Sequence, residues 1–251
     1  RILLMGNSRP ADDPDYRNSH LQRGTTYDAN LAGEPFDAFM NEMERFHLQR
    51  IVPALFPAGV PRYLDFACGT ARITATVGPH AQEAVGVDIS PSMLEEARKK
   101  CPQARFLQAD LTQGTGDLGQ FDLATSFRFF GNAQQALRRQ VLQVLARLVR
   151  PGGYLIVNNH RNPQSLAALF HRATGGTLDM DLTHSRFRSL LAECGFQLVD
   201  SKPIGVWLYR SSLTGTVGKV DERILAREKF WCRSFLTPIA PDTILIAQRA
   251  V

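Results

Sequence analysis

The chain has 251 residues, of which 44% are hydrophobic, and a net charge of +5. This length and apolar content suit one domain with attached segments better than two independent domains. No run approaches the roughly 20 apolar residues that cross a bilayer, and the amino-terminal segment lacks the apolar core of a signal peptide. Four scattered cysteines form no C-x-x-C pair, so neither a disulfide framework nor a metal site is indicated. We therefore expect a soluble protein of the reducing cytoplasm.

The positive charge is unevenly distributed. Between Ser126 and Met180 the chain has seven arginines and one acidic residue, Asp179. Such a stretch can indicate nucleic-acid binding, but several of these arginines belong to a helical pattern that ends in Pro-Gly-Gly, where cations suit the solvated face and the negative end of the helix dipole. The sequence also has no basic and aromatic repeat of the kind that stacks bases. Nucleic acid is therefore a disfavoured partner.

Residues 1–30 are polar and aperiodic, which predicts a flexible amino-terminal arm. Residues 31–60 are predicted to form a helical lid, because apolar residues recur at helical spacing from Phe36 to Ile51, behind Pro35 and ahead of Pro53. Residues 61–251 are then predicted to form an α/β domain. The ambiguous segment around 203–232 is assigned to a cap insertion within that domain.

From residue 62 onward, short buried strands alternate with amphipathic helices. Strands are predicted at 62–67, 83–88, 104–109, 120–126, 153–159, 196–199 and 243–247. Helices are predicted at 70–78, 91–100, between the fourth and fifth strands, and at 163–172, 184–194 and 220–232. Strands separated by helices of this length indicate right-handed crossovers and a mostly parallel sheet covered on both faces. A ligand should then bind at the carboxyl edge of the sheet.

A turn of small residues follows the first predicted strand, in Asp65-Phe-Ala-Cys-Gly69-Thr-Ala-Arg. Small residues let the backbone approach a ligand closely, and the helix that follows presents amide groups and the positive end of its dipole. A ligand with a carboxylate, such as a methionyl tail, fits this turn. Two more acidic residues end the next two strands: Asp88 can accept both hydrogen bonds of a ribose diol, and Asp110 can accept from the exocyclic amine of adenine.

Four ordered segments carry a family resemblance over residues 60–160: D-F-A-C-G-T-A, G-V-D-I-S-P-S-M-L, A-D-L and L-V-R-P-G-G-Y-L-I-V. Together they resemble the class I S-adenosylmethionine-dependent methyltransferases, and most of all the small-molecule group that includes quinone-biosynthesis methyltransferases. The resemblance implies a doubly wound, seven-stranded, Rossmann-like sheet of order 3-2-1-4-5-7-6 with the last strand antiparallel. Ala67 and Ala71 depart from the family, which more often has glycine at these positions.

The same resemblance implies S-adenosylmethionine as the methyl donor and S-adenosylhomocysteine as the product. Asp65 and the turn backbone would hold the methionyl part, Asp88 the ribose and Asp110 the adenine amine, with Ile89 and Leu111 on the adenine faces. The residues expected to contact the donor are Tyr27, Asp65, Ala67, Gly69, Asp88, Ile89, Met93, Asp110, Leu111 and Phe127. Tyr27 resembles the lid tyrosine of such enzymes, although an ordinary position in the arm explains it equally well.

The acceptor pocket is predicted from the residues that follow the fourth and fifth strands. Arg128 and Phe130 follow the fourth strand, where the phenylalanine could also simply pack in the core. Arg128 and Arg161, with Arg172, could fix an anionic acceptor through paired hydrogen bonds. If the acceptor is a hydroxyl or an acidic carbon, a general base helps, and His160 is the best-placed candidate, with a merely polar role as the alternative.

These observations predict a methyltransferase that acts on a small-molecule acceptor, at oxygen or nitrogen rather than carbon, as a monomer or homodimer. A non-catalytic protein that binds the same donor is one alternative, because a donor site says nothing about the acceptor. A nicotinamide-dependent oxidoreductase is another, but the sequence lacks G-x-G-x-x-G and Asp65 would repel a pyrophosphate. Nucleic-acid methylation fits the basic charge, but Ser126 to Phe130 lacks the Asn/Asp-Pro-Pro-aromatic signature.

Overall fold

The computed structural model describes residues 35–175, 181–206, 222–231 and 237–251. The predicted arm at 1–30, including Tyr27, lies outside these ranges, as does most of the predicted cap insertion at 203–232, so both stay predictions. Within the described ranges, no helix is long and apolar enough to span a bilayer.

The described elements alternate between helices and strands along most of the chain. In chain order they are α1 (Pro35–Leu55), β1 (Val60–Phe66), α2 (Thr74–Val77), β2 (Ala81–Asp88), α3 (Pro91–Lys100), β3 (Arg105–Gln108), β4 (Phe121–Ser126), α4 (Gln135–Leu148), β5 (Val149–Asn159), α5 (Leu166–Ala173), α6 (His184–Glu193), β6 (Phe196–Ile204), α7 (Glu222–Trp231) and β7 (Asp242–Arg249). Single 3₁₀ turns lie at Gly78–His80 and Thr237–Ile239.

The strands form one seven-stranded sheet in the order β3-β2-β1-β4-β5-β7-β6. Strands β1 to β5 pair in parallel, and β7 runs antiparallel to both of its neighbours. This arrangement confirms the predicted fold class and strand order. Because β7 is reversed, its first residues lie at the same edge of the sheet as the carboxyl ends of β1 to β5.

Side chains that alternate along the strands divide the core between the two faces of the sheet. In β1, Leu64 packs on one face with the buried residues of α4 and α6. Its neighbour Tyr63 packs on the other face with the buried residues of α1, including Phe39 and Met43. Both faces are therefore covered, and the carboxyl edge is left as the place where a ligand can bind.

Several elements have other bounds than the sequence predicted, among them β5, which begins at Val149 instead of 153. Helix α1 continues through Pro53 to Leu55, where buried Ile51 and Val52 keep the chain packed on the sheet. Helix α2 begins later than predicted, because left-handed backbone at Ala71 lengthens the preceding turn. Strand β6 has nine residues, because it pairs with β7 along its whole length.

His184 joins three parts of the chain at the start of α6. Its Nδ1 lies 3.1 Å from the side-chain nitrogen Nδ2 of Asn159, and its Nε2 lies 3.0 Å from the backbone carbonyl oxygen of Ala240. Since the Asn159 amide donates, the ring is neutral with its proton on Nε2. Burial lowers the pKa of His184 to about 4.

We predict that His184→Gln makes the free energy of unfolding less sensitive to acid. The folded-state pKa lies below the unfolded value of 6.5, so stability present above pH 6.5 is lost as the pH falls toward 4. For the parent this loss is about 2 kcal/mol between pH 7 and pH 5. Glutamine can make both hydrogen bonds without titrating. Urea unfolding of both proteins at the two pH values measures the difference; equal losses would contradict the prediction.

Candidate functional site

The turn between β1 and α2 has unusual backbone angles. Ala67, Gly69 and Ala71 have φ angles of 54°, 53° and 63°, a left-handed conformation that costs alanine roughly 1 kcal/mol more than glycine. The turn is held by hydrogen bonds from the Ala71 amide to Cys68 (2.9 Å) and from the Cys68 amide to Val87 (3.1 Å). A Cβ added at Gly69 would meet none of the described atoms within 4 Å, so a ligand can approach the backbone there.

Asp65 lies beneath this turn with 1% of its surface exposed. Its carboxylate accepts hydrogen bonds from the hydroxyls of Thr74 (2.6 Å) and Thr125 (2.8 Å), and Thr125 also bonds to the Tyr63 hydroxyl (2.7 Å). Burial raises the pKa of Asp65 to about 6, although the two threonine hydroxyls act to lower it. The carboxylate thus joins β1 to β4 and to the start of α2, and its contact with a methionyl group stays a prediction.

Asp88 ends β2 and faces the turn. One carboxylate oxygen accepts from the Gly69 amide (2.8 Å) and the other from the Ser90 amide (2.9 Å). Burial raises the pKa of Asp88, and these two amide hydrogen bonds oppose the shift. Each carboxylate oxygen has a second lone pair, so an anchored Asp88 can still accept hydrogen bonds from a ligand with two adjacent hydroxyls.

Asp110 follows β3 directly. The Ala109 amide donates to the Asp88 carbonyl (3.1 Å), and Asp110 Oδ1 accepts from the amide (2.9 Å) and the hydroxyl (2.6 Å) of Thr112. Because β1, β2 and β3 are neighbouring parallel strands, Asp65, Asp88 and Asp110 lie along one edge of the sheet. This is the arrangement that the sequence predicted for a nucleoside-containing ligand.

Four further predicted donor residues lie close to these carboxylates in the chain. Ile89 is half-buried just after β2, whereas Leu111, beyond β3, is 3% exposed. Met93 is buried in the first turn of α3, where its amide donates to the capping hydroxyl of Ser90 (3.4 Å). Phe127 is buried just after β4, on the face of the sheet that α1 covers. Their roles in donor binding stay predictions.

Residues 64–153 match a family model described as a methyltransferase domain. The magnesium protoporphyrin IX methyltransferase of Synechocystis PCC 6803, solved with bound SAH, shares the fold with a TM-score of 0.64 and 16% identity, over 93% of this chain and 97% of that one. Residues 64–153 are thus similar to a methyltransferase domain, and the chain shares its fold with an SAH-bound methyltransferase.

Sequence relatives show the same similarity. YqeM of Bacillus subtilis, which carries a methyltransferase name, is 26% identical over 64% of this chain and 62% of its own length. The demethylmenaquinone methyltransferase of Tropheryma whipplei is 30% identical over 43% of this chain and 46% of its own length. The chain thus spans about half to two thirds of the length of these relatives. The predicted similarity to quinone-type enzymes is supported in part.

A buried polar cluster lies at the same edge of the sheet. The side-chain amide of Asn158, in β5, donates to Glu44 of α1 (3.1 Å) and to Asp242 of β7 (3.2 Å), and its oxygen accepts from the Arg128 amide (2.6 Å). The Arg128 guanidinium pairs with Asp37 (2.8 Å) and lies 3.7 Å from Glu44. Burial and the nearby Glu44 raise the pKa of Asp242. The cluster joins α1 to the ends of β4, β5 and β7.

Arg72, in the turn before α2, extends this cluster to the turn that follows β1. It pairs with Glu44 and donates to the Asn41 side chain (2.8 Å), so the turn is fastened to α1. The sequence analysis assigned no role to Arg72, Glu44, Asn158 or Asp242. The local sequence around each of these residues does not indicate that they meet in the fold. The one available signal was Glu44, because an acidic residue within the apolar stripe of a helix is unusual.

His160 follows β5, as predicted for a general base. Its Nε2 lies 3.2 Å from the Asn132 amide nitrogen, and Asn132 Oδ1 accepts from Arg161 (3.1 Å). Burial, together with the charges of Arg128, Arg161 and Arg72, lowers the pKa of His160 well below its ordinary value. The ring is therefore neutral at physiological pH and a weak proton acceptor. The geometry favours a polar positioning role over proton abstraction.

The other predicted acceptor residues already have partners within the described part of the chain. Phe130 is fully buried and packs against Phe187 with 4.8 Å between ring centroids, so its geometry is that of a core residue and gives no support to an acceptor-binding role. Arg172 donates to the carbonyl of Pro163 (3.3 Å). Arg128 holds carboxylates of α1, so an anionic acceptor would have to compete with them.

We predict that Ala67→Gly raises the free energy of unfolding by roughly 0.5 kcal/mol. Glycine removes the free-energy cost of left-handed backbone in the folded state, at φ 54°. This gain exceeds the loss that comes from the larger conformational entropy of glycine in the unfolded chain. Ala75→Gly is the control, because Ala75 is an exposed residue inside α2, where glycine costs about 1 kcal/mol. Urea denaturation compares the two variants, and the prediction fails if both are destabilised equally.

Proposed function

We propose that this chain is an S-adenosylmethionine-dependent methyltransferase that acts on a small-molecule acceptor. The observation that carries the proposal is the anchored carboxylate of Asp88, held by the amides of Gly69 and Ser90 beside a turn that a ligand can approach. A carboxylate fixed in this way can accept hydrogen bonds from both hydroxyls of a ribose. The methyltransferase family match and the SAH-bound structural relative support the choice of donor.

The donor residues take the roles expected from the family. The turn backbone from Ala67 to Gly69 would face the methionyl part, supported from below by Asp65. Asp88 would hold the ribose, and Asp110 the adenine amine, with the adenine ring between Ile89 and Leu111. Met93 and Phe127 would shape the walls from their buried positions.

The donor, when bound, supplies a methyl group on a sulfonium that is already a good leaving group. The chain then has to align the acceptor and exclude water. Arg72 and Arg128 contribute by fastening α1 over the carboxyl edge through Glu44 and Asp37. His160 lies within hydrogen-bond distance of the Asn132 side chain, which in turn accepts from Arg161, so it would position that arginine beside the edge. An acceptor with an accessible lone pair, on oxygen or nitrogen, suits such a site better than a carbon that must first be deprotonated.

The acceptor is proposed to be neutral rather than anionic. The side chain of Arg128 is 12% exposed and faces Asp37 and Glu44, so its charge is already balanced by α1. Arg161 is half-buried and donates to Asn132, and Arg172 is exposed and donates to the Pro163 carbonyl. Cys68, Cys101 and Cys194 are buried and not disulfide-bonded, which suits the reducing cytoplasm.

Removing the Asp88 carboxylate is expected to abolish tight donor binding. Asp88→Ala should weaken S-adenosylhomocysteine binding by roughly 100-fold, since two hydrogen bonds to a charged group are lost together with the anchor of Gly69. Asp200→Ala, at an exposed position of β6, is the control and should bind as the parent does. Calorimetry measures both affinities. Unchanged binding by Asp88→Ala, or binding of NAD instead, would overturn the donor assignment.

A transfer assay separates an enzyme from a donor-binding protein. With methyl-labelled S-adenosylmethionine, we expect label in phenols or primary amines of an acceptor panel and none in benzoate or other carboxylates. Label recovered in carboxylates alone would contradict the neutral acceptor. Donor binding with no transfer to any member of the panel would favour the non-catalytic alternative.

A further inference from the structure

Asp242 is a buried acid that belongs to neither the proposed donor set nor the proposed acceptor set. It begins β7 at the carboxyl edge of the sheet and is 0% exposed. One of its carboxyl oxygens, Oδ2, accepts from the side-chain amide of Asn158 at 3.2 Å. Within the described part of the chain, the other oxygen has no hydrogen-bond partner, and the carboxyl group makes no ion pair. Burying an unpaired charge is costly, so this position suits a neutral acid.

A second carboxyl group, that of Glu44, lies next to Asp242. The side-chain nitrogen of Asn158 donates to Glu44 at 3.1 Å and to Asp242 at 3.2 Å, so the two acids share one amide. Glu44 is the acid with cationic partners, because Arg72 and Arg128 both lie within ion-pair distance of it. The arrangement therefore suits one anion, Glu44, beside a protonated Asp242.

The groups that face Asp242 come from four parts of the fold. Within the described ranges, α1 contributes Glu44, the segment after β4 contributes Arg128, β5 contributes Asn158, and β6 contributes the apolar Ile204. Burial, followed by the charge of Glu44, raises the pKa of Asp242, and the charge of Arg128 opposes the shift. The folded protein thus keeps a proton that an exposed aspartate, with its ordinary pKa of 3.8, would release.

We propose that the proton of Asp242 keeps α1 in position over the carboxyl edge. Asp242 lies on the sheet and Glu44 on the helix, so two ionised carboxylates would repel each other across the interface. While Asp242 is protonated, this repulsion is absent and α1 stays packed. When α1 moves away, Asp242 meets water, ionises and releases one proton to the solvent. The attachment of α1 therefore weakens as the pH rises from the ordinary pKa toward the raised one, and changes no further above it.

The position of α1 bears on methyl transfer, and this consequence rests on the proposed function. Asn41 and Glu44, both on α1, hold Arg72 in the turn between β1 and α2. Loosening α1 would release that turn, which is the predicted contact of the methionyl group. Asp242 is thus a positioning residue, because it acts through Asn158 and Glu44.

Hydrogen exchange of the whole chain, without donor, tests the proposal. The opening equilibrium of α1 is read from its amide rates, each divided by the intrinsic rate at the same pH. In the parent it should rise roughly 5-fold between pH 7 and pH 8, since the release of one proton gives at most about 10-fold for each pH unit. This window lies above the ordinary pKa of 6.5 of His47, the buried histidine of α1, so its titration contributes little.

Asp242→Asn should remove this pH dependence, leaving a change of less than about 2-fold over the same window. Asparagine keeps an oxygen that accepts from Asn158 and does not titrate. Asp117→Asn is the matched control, because Asp117 is an exposed aspartate between β3 and β4, and it should follow the parent.

Four results would overturn the proposal. These are an opening of α1 in the parent that does not vary between the two pH values, an Asp242→Asn variant that varies as the parent does, an equal loss of the dependence in Asp117→Asn, or α1 amides that exchange no faster than those of α4. The last result would mean that Asp242 acts on the stability of the whole fold. The first and last are read on the parent, so they hold even if Asp242→Asn does not fold. Because no donor is present, a failure here is distinguishable from a failure of the donor assignment.

Discussion

The hydrogen bond from the Gly69 amide to the Asp88 carboxylate joins the ends of β1 and β2, and the shape of the ligand-binding edge depends on it. Left-handed backbone at Ala67 and Ala71 costs each alanine roughly 1 kcal/mol. Strained backbone of this kind is kept only where several surrounding contacts hold it in place. Here the Asp88 carboxylate, the Cys68 bond to Val87 and the packing of Ala71 in the core provide that constraint.

A second constraint is the burial of charge between α1 and the sheet. Glu44 is fully buried, and it is stable there because Arg72, Arg128 and the Asn158 amide surround it. Breaking one partner of a buried pair typically costs 3–5 kcal/mol, because the other charge is left uncompensated. Helix α1 is therefore held to the sheet by these ion pairs as well as by apolar contacts. The described part of the segment predicted as a lid packs on the sheet through these contacts, and its role as a lid stays a prediction.

The turn after β1 and the buried charges beneath α1 are linked through Arg72 and Arg128. Arg72 lies in the turn between β1 and α2, and Arg128 follows β4. The side chain of Glu44 contacts both arginines. Arg128 has left-handed backbone at φ 58°, and the Asn158 side chain accepts its amide hydrogen bond. The turn after β1 and the segment after β4 are thus connected through the buried carboxylate of Glu44.

The sequence by itself determined the features that depend on local residue patterns and on the residues at strand ends. The bounds of α3 followed from Ser90 and Pro91, because a capping hydroxyl and a first-turn proline act within one helical turn. The fold, the strand order and the shared edge of Asp65, Asp88 and Asp110 followed from the alternating pattern and the family motifs. Only the tertiary structure decided the length of β6, which pairing with β7 sets, and the late start of α2, which the contacts around Ala71 impose. It alone also brought together Glu44, Asn158 and Asp242, since side chains far apart in the chain meet only once the helix has packed on the sheet.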